Sequence, residues 1–190
     1  MSQAVRGFVA GALLLSLSPV ALAKTAPTDG QVAQVQHLLG FDQAFSQAMD
    51  AKIDGAPELA QLSAGQRSCV GGIVRPAFAG ALNNAFRDLF VDSTTVEDWV
   101  RFSQTPGGSR FLEFVRTGVL ATVRQQPRPE PATFMQGLSP EQLADVGAFM
   151  SSPAATVLQR DFPDIDLPQA QQVALERQVK DECGVELPRG

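Results

Sequence analysis

Tyrosine is missing from this 190-residue chain, and histidine and tryptophan occur once each. The single histidine, His37, leaves too few ligands for a His-based metal site. It is also the only base that a Ser-His-acid or Cys-His arrangement could use, and no G-x-S-x-G elbow accompanies it. His37 therefore reads as a partly exposed helix residue. Without Tyr, and with Trp99 alone, the aromatic content is almost entirely the 12 Phe. Phe packs without needing a hydrogen-bond partner, which suits a core better than a polar recognition surface. No apolar run reaches the ~20 residues needed to cross a bilayer. No stretch shows sustained strand-like alternation flanked by turn signals. Positive charge is scarce as well. The net charge of −5 gives no general attraction for nucleic acid or anionic lipid, and only Lys24, Lys52 and Lys180 among the 15 basic residues are lysine.

What is present begins with a leader. Arg6 precedes the apolar run Gly7–Leu17, Ser18-Pro19 breaks that run, and Ala21-Leu22-Ala23 has the A-x-A form of a signal-peptide cleavage site. The expected mature chain starts at Lys24. Its loss of residues 1–23 removes Arg6 and no acid, making the charge one unit more negative than −5. No Cys stands at the cleavage point, so no lipoprotein signal is expected. Export to the periplasm, or secretion, is the expectation, with residues 24–190 as one domain able to bury a core. In an exported chain the two cysteines, Cys69 and Cys183, are expected to form a disulfide. Closing a loop of more than a hundred residues, it contributes up to ~4–5 kcal/mol on the chain-entropy model. Two separate thiols are the alternative.

The apolar spacing after this leader is helical. Residues 24–28 read as a loose lead-in. Val32, Val35, Leu38, Leu39, Phe41, Phe45, Ala48, Met49 and Ile53 predict two short helices or one bent one, interrupted at Gly40. A region beginning near Ser63 carries Cys69. Gly71-Gly72 weakens it and Pro76 breaks or kinks it. A further piece runs to about Phe90, its Ala77, Ala81 and Ala85 beside a stripe of Phe78, Leu82, Phe86, Leu89 and Phe90, a pairing of small and large rows that favours close packing.

The stretch Trp99–Leu112 then forms a helical corner. Thr94-Thr95-Val96-Glu97 has the form of a capping box ahead of Val96, Trp99, Val100 and Phe102. Thr105-Pro106 ends that helix and starts the next, with Thr105 as N-cap and Pro106 at the first helical position. Gly107 and Gly108 present no side chain, so two helices can cross closely. The new helix carries Phe111, Leu112, Phe114, Val115, Val119 and Val123 and runs to about Gln126. Pro127-Arg128-Pro129-Glu130-Pro131 is a stiff linker inside the domain. A second corner repeats the first 47 residues later, Val146 standing for Trp99. There Ser139–Gln142 is a capping box, and Leu138 and Leu143 fit a hydrophobic staple. Phe149 stands for Phe102, Ser152-Pro153 for Thr105-Pro106, Ala154-Ala155 for the two glycines, and Leu158 for Phe111. The last helix starts at Asp166–Gln169 with Asp166 as cap, carries Val173, Val179 and Cys183, and stops at Gly184. The expected fold is all-α: a single compact bundle of about seven or eight helices with two similar Ser/Thr-Pro corners.

Three features could carry chemistry. Paired carboxylates at Glu97/Asp98, Asp161/Asp164/Asp166 and Asp181/Glu182 could serve a hydrolase. Gly107-Gly108 could hold an anion on free backbone N–H groups near Arg110, although Ala154-Ala155 in the second corner favours close crossing as the role of the small residues. Arg101, Arg110, Arg116, Arg124 and Arg128 form a basic zone, a candidate contact surface for an acidic partner. Glu113, three residues from both Arg110 and Arg116, absorbs part of it.

The run Phe102-Ser103-Gln104-Thr105-Pro106-Gly107-Gly108-Ser109-Arg110, with Thr94–Glu97 before it, resembles the exported bacterial family called domain of unknown function 2059. That family carries a capped helix, an aromatic, a Ser/Thr-Pro-x-Gly turn and a basic residue soon after. Here Phe102, Thr105, Pro106, Gly108 and Arg110 match, and Ser103 replaces the usual Tyr. The resemblance extends over Val32 to Gln126 and implies an all-α periplasmic protein. It implies no activity. The expected function is a non-enzymatic binding module of the cell envelope whose partner is another envelope protein. The alternatives are a carrier of an apolar or lipid-like ligand between Phe-rich helices, and a carboxylate hydrolase. No cofactor and no nucleic acid is called for, and the oligomeric state stays open.

Overall fold

Gly40 divides the first helical stretch in two. The computed structural model describes residues 24–57, 59–162 and 165–187. The expected signal peptide, with Ala21 and Ala23 at its cleavage site, lies outside the described residues, as does Asp164. Helix α1 spans Asp29–Leu39 and α2 spans Phe41–Gly55. Thr28 and Gln31 form a reciprocal capping box at the start of α1. Gly40, at φ +77°, closes α1 and precedes α2. Glycine takes that left-handed geometry without a Cβ penalty, and the stem of Arg116 lies where a Cβ would stand. Residues 24–28 are not a loose lead-in. Thr25 O accepts the Ser93 N–H at 2.8 Å, Lys24 Nζ lies 3.4 Å from Asp92 Oδ2, and Pro27 is buried. A helix start has free N–H donors, and this segment satisfies one.

The next helix, α3, is longer than its sequence suggests. It runs unbroken over Ala64–Phe90 with Pro76 inside it, after a Ser63–Gln66 capping box. Of the expected break or kink at Pro76, the break does not occur. The proline ring crowds the carbonyl four residues back, and that residue is Gly72, whose backbone adjusts most easily. Tertiary contacts grip the helix on both sides of the proline. Val70 and Cys69 bind it to the C-terminal helix, while Leu82, Phe86, Leu89 and Phe90 enter the main core. After α3, Val91 takes φ +53° in a tight turn where the Asp92 N–H meets Phe90 O.

Helices α4 (Ser93–Ser103) and α5 (Pro106–Val123) make the first corner, and α7 (Pro140–Met150) with a 3₁₀ segment (Pro153–Gln159) makes the second. Asp92, not Thr94, caps α4, accepting the Thr95 N–H at 2.8 Å and its hydroxyl at 3.0 Å. The expected Thr94–Glu97 box therefore does not form: Asp92 starts the helix earlier, and a charged acceptor holds its donor more strongly. A short helix not foreseen from sequence, α6 (Pro131–Gln136), begins on the last proline of the linker. Capping of α7 by Ser139 and Gln142 is as expected, but Leu143 stays exposed while Leu138 is buried. The second corner's outgoing segment is 3₁₀ rather than α, and Leu158 points to solvent. The final helix, α8 (Gln169–Cys183), follows Pro168 with no side-chain cap, so Asp166 does not serve there. Gly184 ends it in the left-handed region.

The two corners are packed reciprocally. The outgoing helix of the first, α5, lies against α7, while α4 lies against the 3₁₀ segment. Trp99 is fully buried, donates its indole N–H to Ala154 O at 3.0 Å, and meets Phe149 edge-on at 4.9 Å. Phe102 stacks on Phe149 at 3.9 Å. The other half of the arrangement runs from α7 back to α5: Asp145 Oδ2 accepts the Gly107 N–H at 2.9 Å. A Cβ on Gly107 would fall against Gln142 O and 2.6 Å from Asp145 Cβ. A Cβ on Gly108 would strike Phe102 O. The glycines thus have separate tasks, Gly107 in the α5–α7 crossing and Gly108 in the tight turn from α4. Among the described residues the fold is all-α, with no strand and no helix long and apolar enough to cross a membrane.

A second, smaller core sits apart, built of Val70, Val179 and Val185 with Ile73, Val74 and Leu187 around them. The Cys69–Cys183 disulfide closes it, with Cα atoms 5.7 Å apart across a sequence separation of 114. The two cysteines therefore meet as the paired reading expects, and α8 is pinned to the first half of α3.

Candidate functional site

A concavity lies between α2 and α5. It is a groove of about 870 Å³. Phe41, Ala44, Phe45 and Ala48 of α2 form one wall, and Phe114, Val115, Gly118, Val119, Thr122 and Val123 of α5 form the other. Leu82 of α3 closes the bottom. The rims are irregular. On one side runs the proline-rich linker, Arg128 to Pro131; on the other stand Phe162 and Ile165 of the segment between the 3₁₀ turn and α8.

Local sequence explains each wall. On α2, Phe41, Phe45 and Ala48 recur at helical spacing, and on α5 so do Phe114, Gly118, Thr122 and Val115, Val119. Small residues, Ala44, Ala48 and Gly118, sit where larger ones would fill the space. Phe162 is held in place although it is more than a third exposed: it stacks on Phe41 at 5.2 Å and meets Phe86 edge-on at 5.5 Å. Arg160 fastens the same segment by donating to Leu89 O at 2.7 Å. The opposite rim is held by Phe134 of α6, which stacks on Phe114 at 4.5 Å. A smaller cavity of about 530 Å³ continues past Phe114, Pro129 and Glu130 to Arg110 and Glu113.

The other residues singled out from sequence fall as follows. Trp99, Phe102, Phe149 and Pro106 serve the corner packing, and Thr105 caps α5 by accepting the Gly108 N–H at 2.9 Å. In the second corner Ser152 makes no such bond, and its buried hydroxyl has no partner among the described residues; Pro153 opens the 3₁₀ segment. The anion position at the start of α5 is taken by the chain itself, since Thr105 and the Asp145 carboxylate receive its N–H groups. Asp145 carried no local signal: it reads as one more acid on a polar face until α7 is laid on α5.

The arginines do not act as one surface. Arg101 pairs with Asp98 at 2.7 Å and Arg110 with Glu113 at 2.8 Å. Arg116 donates to Leu38 O at 3.2 Å, and Arg124 to Gln47 at 3.1 Å. Arg128 faces the groove.

Asp92 and Asp42 are both shifted. The Asp92 carboxyl lies below its ordinary range, chiefly because the Thr95 N–H binds it; burial opposes this, while the Thr95 hydroxyl and Lys24 reinforce it. For Asp42, burial acts upward, yet hydrogen bonds from exposed His37 and from Gln43 N–H bring it down. Among the described residues no group of three or more His, Cys, Asp or Glu side chains comes together as metal ligands. Asp161, Asp166, Asp181 and Glu182 are all exposed, and Glu182 accepts from Gln178 at 3.0 Å.

No family model, curated protein or solved structure matches this chain. The groove's geometry therefore carries the functional conclusion.

Proposed function

We propose that the chain is an exported, non-enzymatic binding module whose site is the α2–α5 groove and whose ligand is an apolar or lipid-like molecule. The observation behind this is the groove itself: about 870 Å³, within the size range of small-molecule sites, with apolar walls and charge only at one rim. Export, the signal peptide ending at Ala23, and kinship with the domain of unknown function 2059 family belong to the same proposal. They are supported by the leader's pattern, by the disulfide, which suits an oxidising compartment, and by the Thr-Pro-Gly-Gly corner.

The test is native mass spectrometry of protein purified without detergent, then titrated with long-chain amphiphiles. Gly118→Phe fills one wall, since only Pro129 Cδ, at 3.9 Å, comes near a Cβ there. Adducts on the native protein, lost in Gly118→Phe at unchanged melting temperature, are expected. A clean apo mass at every ligand concentration would refute the proposal. The envelope-protein partner remains the second reading, favoured by a strip of α7 where Leu143, Gly147 and Met150 are all exposed.

A further inference from the structure

We infer that the groove takes a single-chain amphiphile with a zwitterionic phosphate–amine head, its chain between α2 and α5 and its head between Arg128 and Glu130. This rests on the groove being the binding site. Arg128 and Glu130 are the only charged side chains that line it. Neither has a hydrogen-bond or ion-pair partner among the described residues, and they do not pair with each other. Arg101, Arg110, Arg116 and Arg124 are all engaged elsewhere. Arg128 is thus the one member of the basic zone left open, and it is the one at the mouth of an apolar cavity.

The linker explains why the two charges stay apart. Pro127, Pro129 and Pro131 alternate with Arg128 and Glu130, and each proline fixes its own φ and restrains the residue before it. The backbone cannot easily curl to bring guanidinium and carboxylate together. A ligand that carries both charges on one short head satisfies both side chains of that rim at once: its phosphate meets the guanidinium, which suits Arg's fork of donors, and its ammonium meets the carboxylate. A fatty acid would bring its carboxylate to Arg128 but also to Glu130. An alkylamine would have the converse fault. The whole chain is acidic, at −5, which adds a penalty against any ligand of net negative charge. One chain fits the cavity's size better than two.

The experiment uses the full chain and a fluorescent apolar probe, N-phenyl-1-naphthylamine, displaced from it by three competitors of equal chain length. These are a lysophosphatidylethanolamine, a lysophosphatidylglycerol and a fatty acid, each below its micellar concentration. The zwitterion is expected to compete about tenfold better than either anion, corresponding to ~1.4 kcal/mol. Glu130→Ala should remove most of that preference, whereas Arg128→Ala should weaken all three lipids and keep it, with both variants still binding the probe. Equal competition by all three lipids, unchanged in both variants, overturns the head-group assignment and leaves the groove itself standing. Preference for either anion overturns it too. Failure of the native protein to bind the probe at all would instead sink the groove as a site, and this inference with it.

Discussion

Replacing Gly107 with alanine tests the reciprocal corner packing at its tightest point. A helix interior normally gains ~0.5–1 kcal/mol from Gly→Ala. Here the new methyl would fall against Gln142 O and 2.6 Å from Asp145 Cβ, so α5 and α7 must separate. Overpacking of this kind costs ~1–3 kcal/mol. Separation also stretches the 2.9 Å bond from the Gly107 N–H to Asp145, a charge-assisted contact of ~1.5–3 kcal/mol that is discounted here because Asp145 is only half-buried. The net expectation is a loss of about 2–3 kcal/mol, or ~5–10 °C in melting temperature for a chain of this size. Urea unfolding followed by far-UV circular dichroism reads the loss. Trp99 fluorescence reads it independently, because Trp99 is the only Trp and lies in the other half of the same reciprocal corner packing, against Ala154 O. Gly147→Ala on α7 is the control: nothing lies within 4 Å of its Cβ position, so it should gain ~0.5–1 kcal/mol. If Gly107→Ala proved as stable as Gly147→Ala, the close crossing described above would be wrong.

Two further outcomes follow from the corners and their caps. Thr105→Ala should cost ~1 kcal/mol, since Thr105 accepts the Gly108 N–H, whereas Ser152→Ala should be neutral or stabilising because its buried hydroxyl has no partner; equal losses in parallel urea titrations would refute this contrast. The depressed Asp92 carboxyl contributes stability that is fully present above the ordinary Asp pKa of about 3.9 and is lost as pH falls through its lower folded value. Asp92→Asn keeps a capping acceptor but not the charge, so its urea midpoint should fall less steeply below pH 4 than that of the native chain. Parallel acid limbs for the two proteins would contradict that assignment.

Much of the secondary structure was legible because its signals are local. Thr105-Pro106 and Ser139-Pro140 mark helix starts within four residues, since a hydroxyl acceptor and a fixed φ act on the adjacent N–H groups. Gly40 and Gly184 mark helix ends for the same near-neighbour reason. Competing local signals were harder to rank. Thr94–Glu97 looked like a cap, but Asp92, two residues earlier, reached the free N–H first. Asp166 likewise looked like a cap and is not one. Pro76 looked like a break, yet α3 continues through it because the contacts on either side outweigh one lost hydrogen bond.

The sequence by itself determined the helical class, the places where most helices start and stop, the one pairing open to the only two cysteines, and the repeat of the corner at Trp99 and Val146. All of these depend on residues within a turn of one another, on a count of two, or on a pattern copied along the chain. Only the tertiary structure decided that the corners lock together through Trp99 and Ala154 and through Asp145 and Gly107. It alone decided that Arg116 reaches Leu38 O while Arg128 stays open. The groove is the extreme case. Its lining is gathered from residues 41–48, 82, 114–131, 162 and 165, and a groove is space that packed faces fail to fill. Helical periodicity shows which face of α2 or α5 is apolar, but not whether a neighbour covers it. That depends on how far apart the helix axes come to rest, which is set by glycines and prolines elsewhere in the chain.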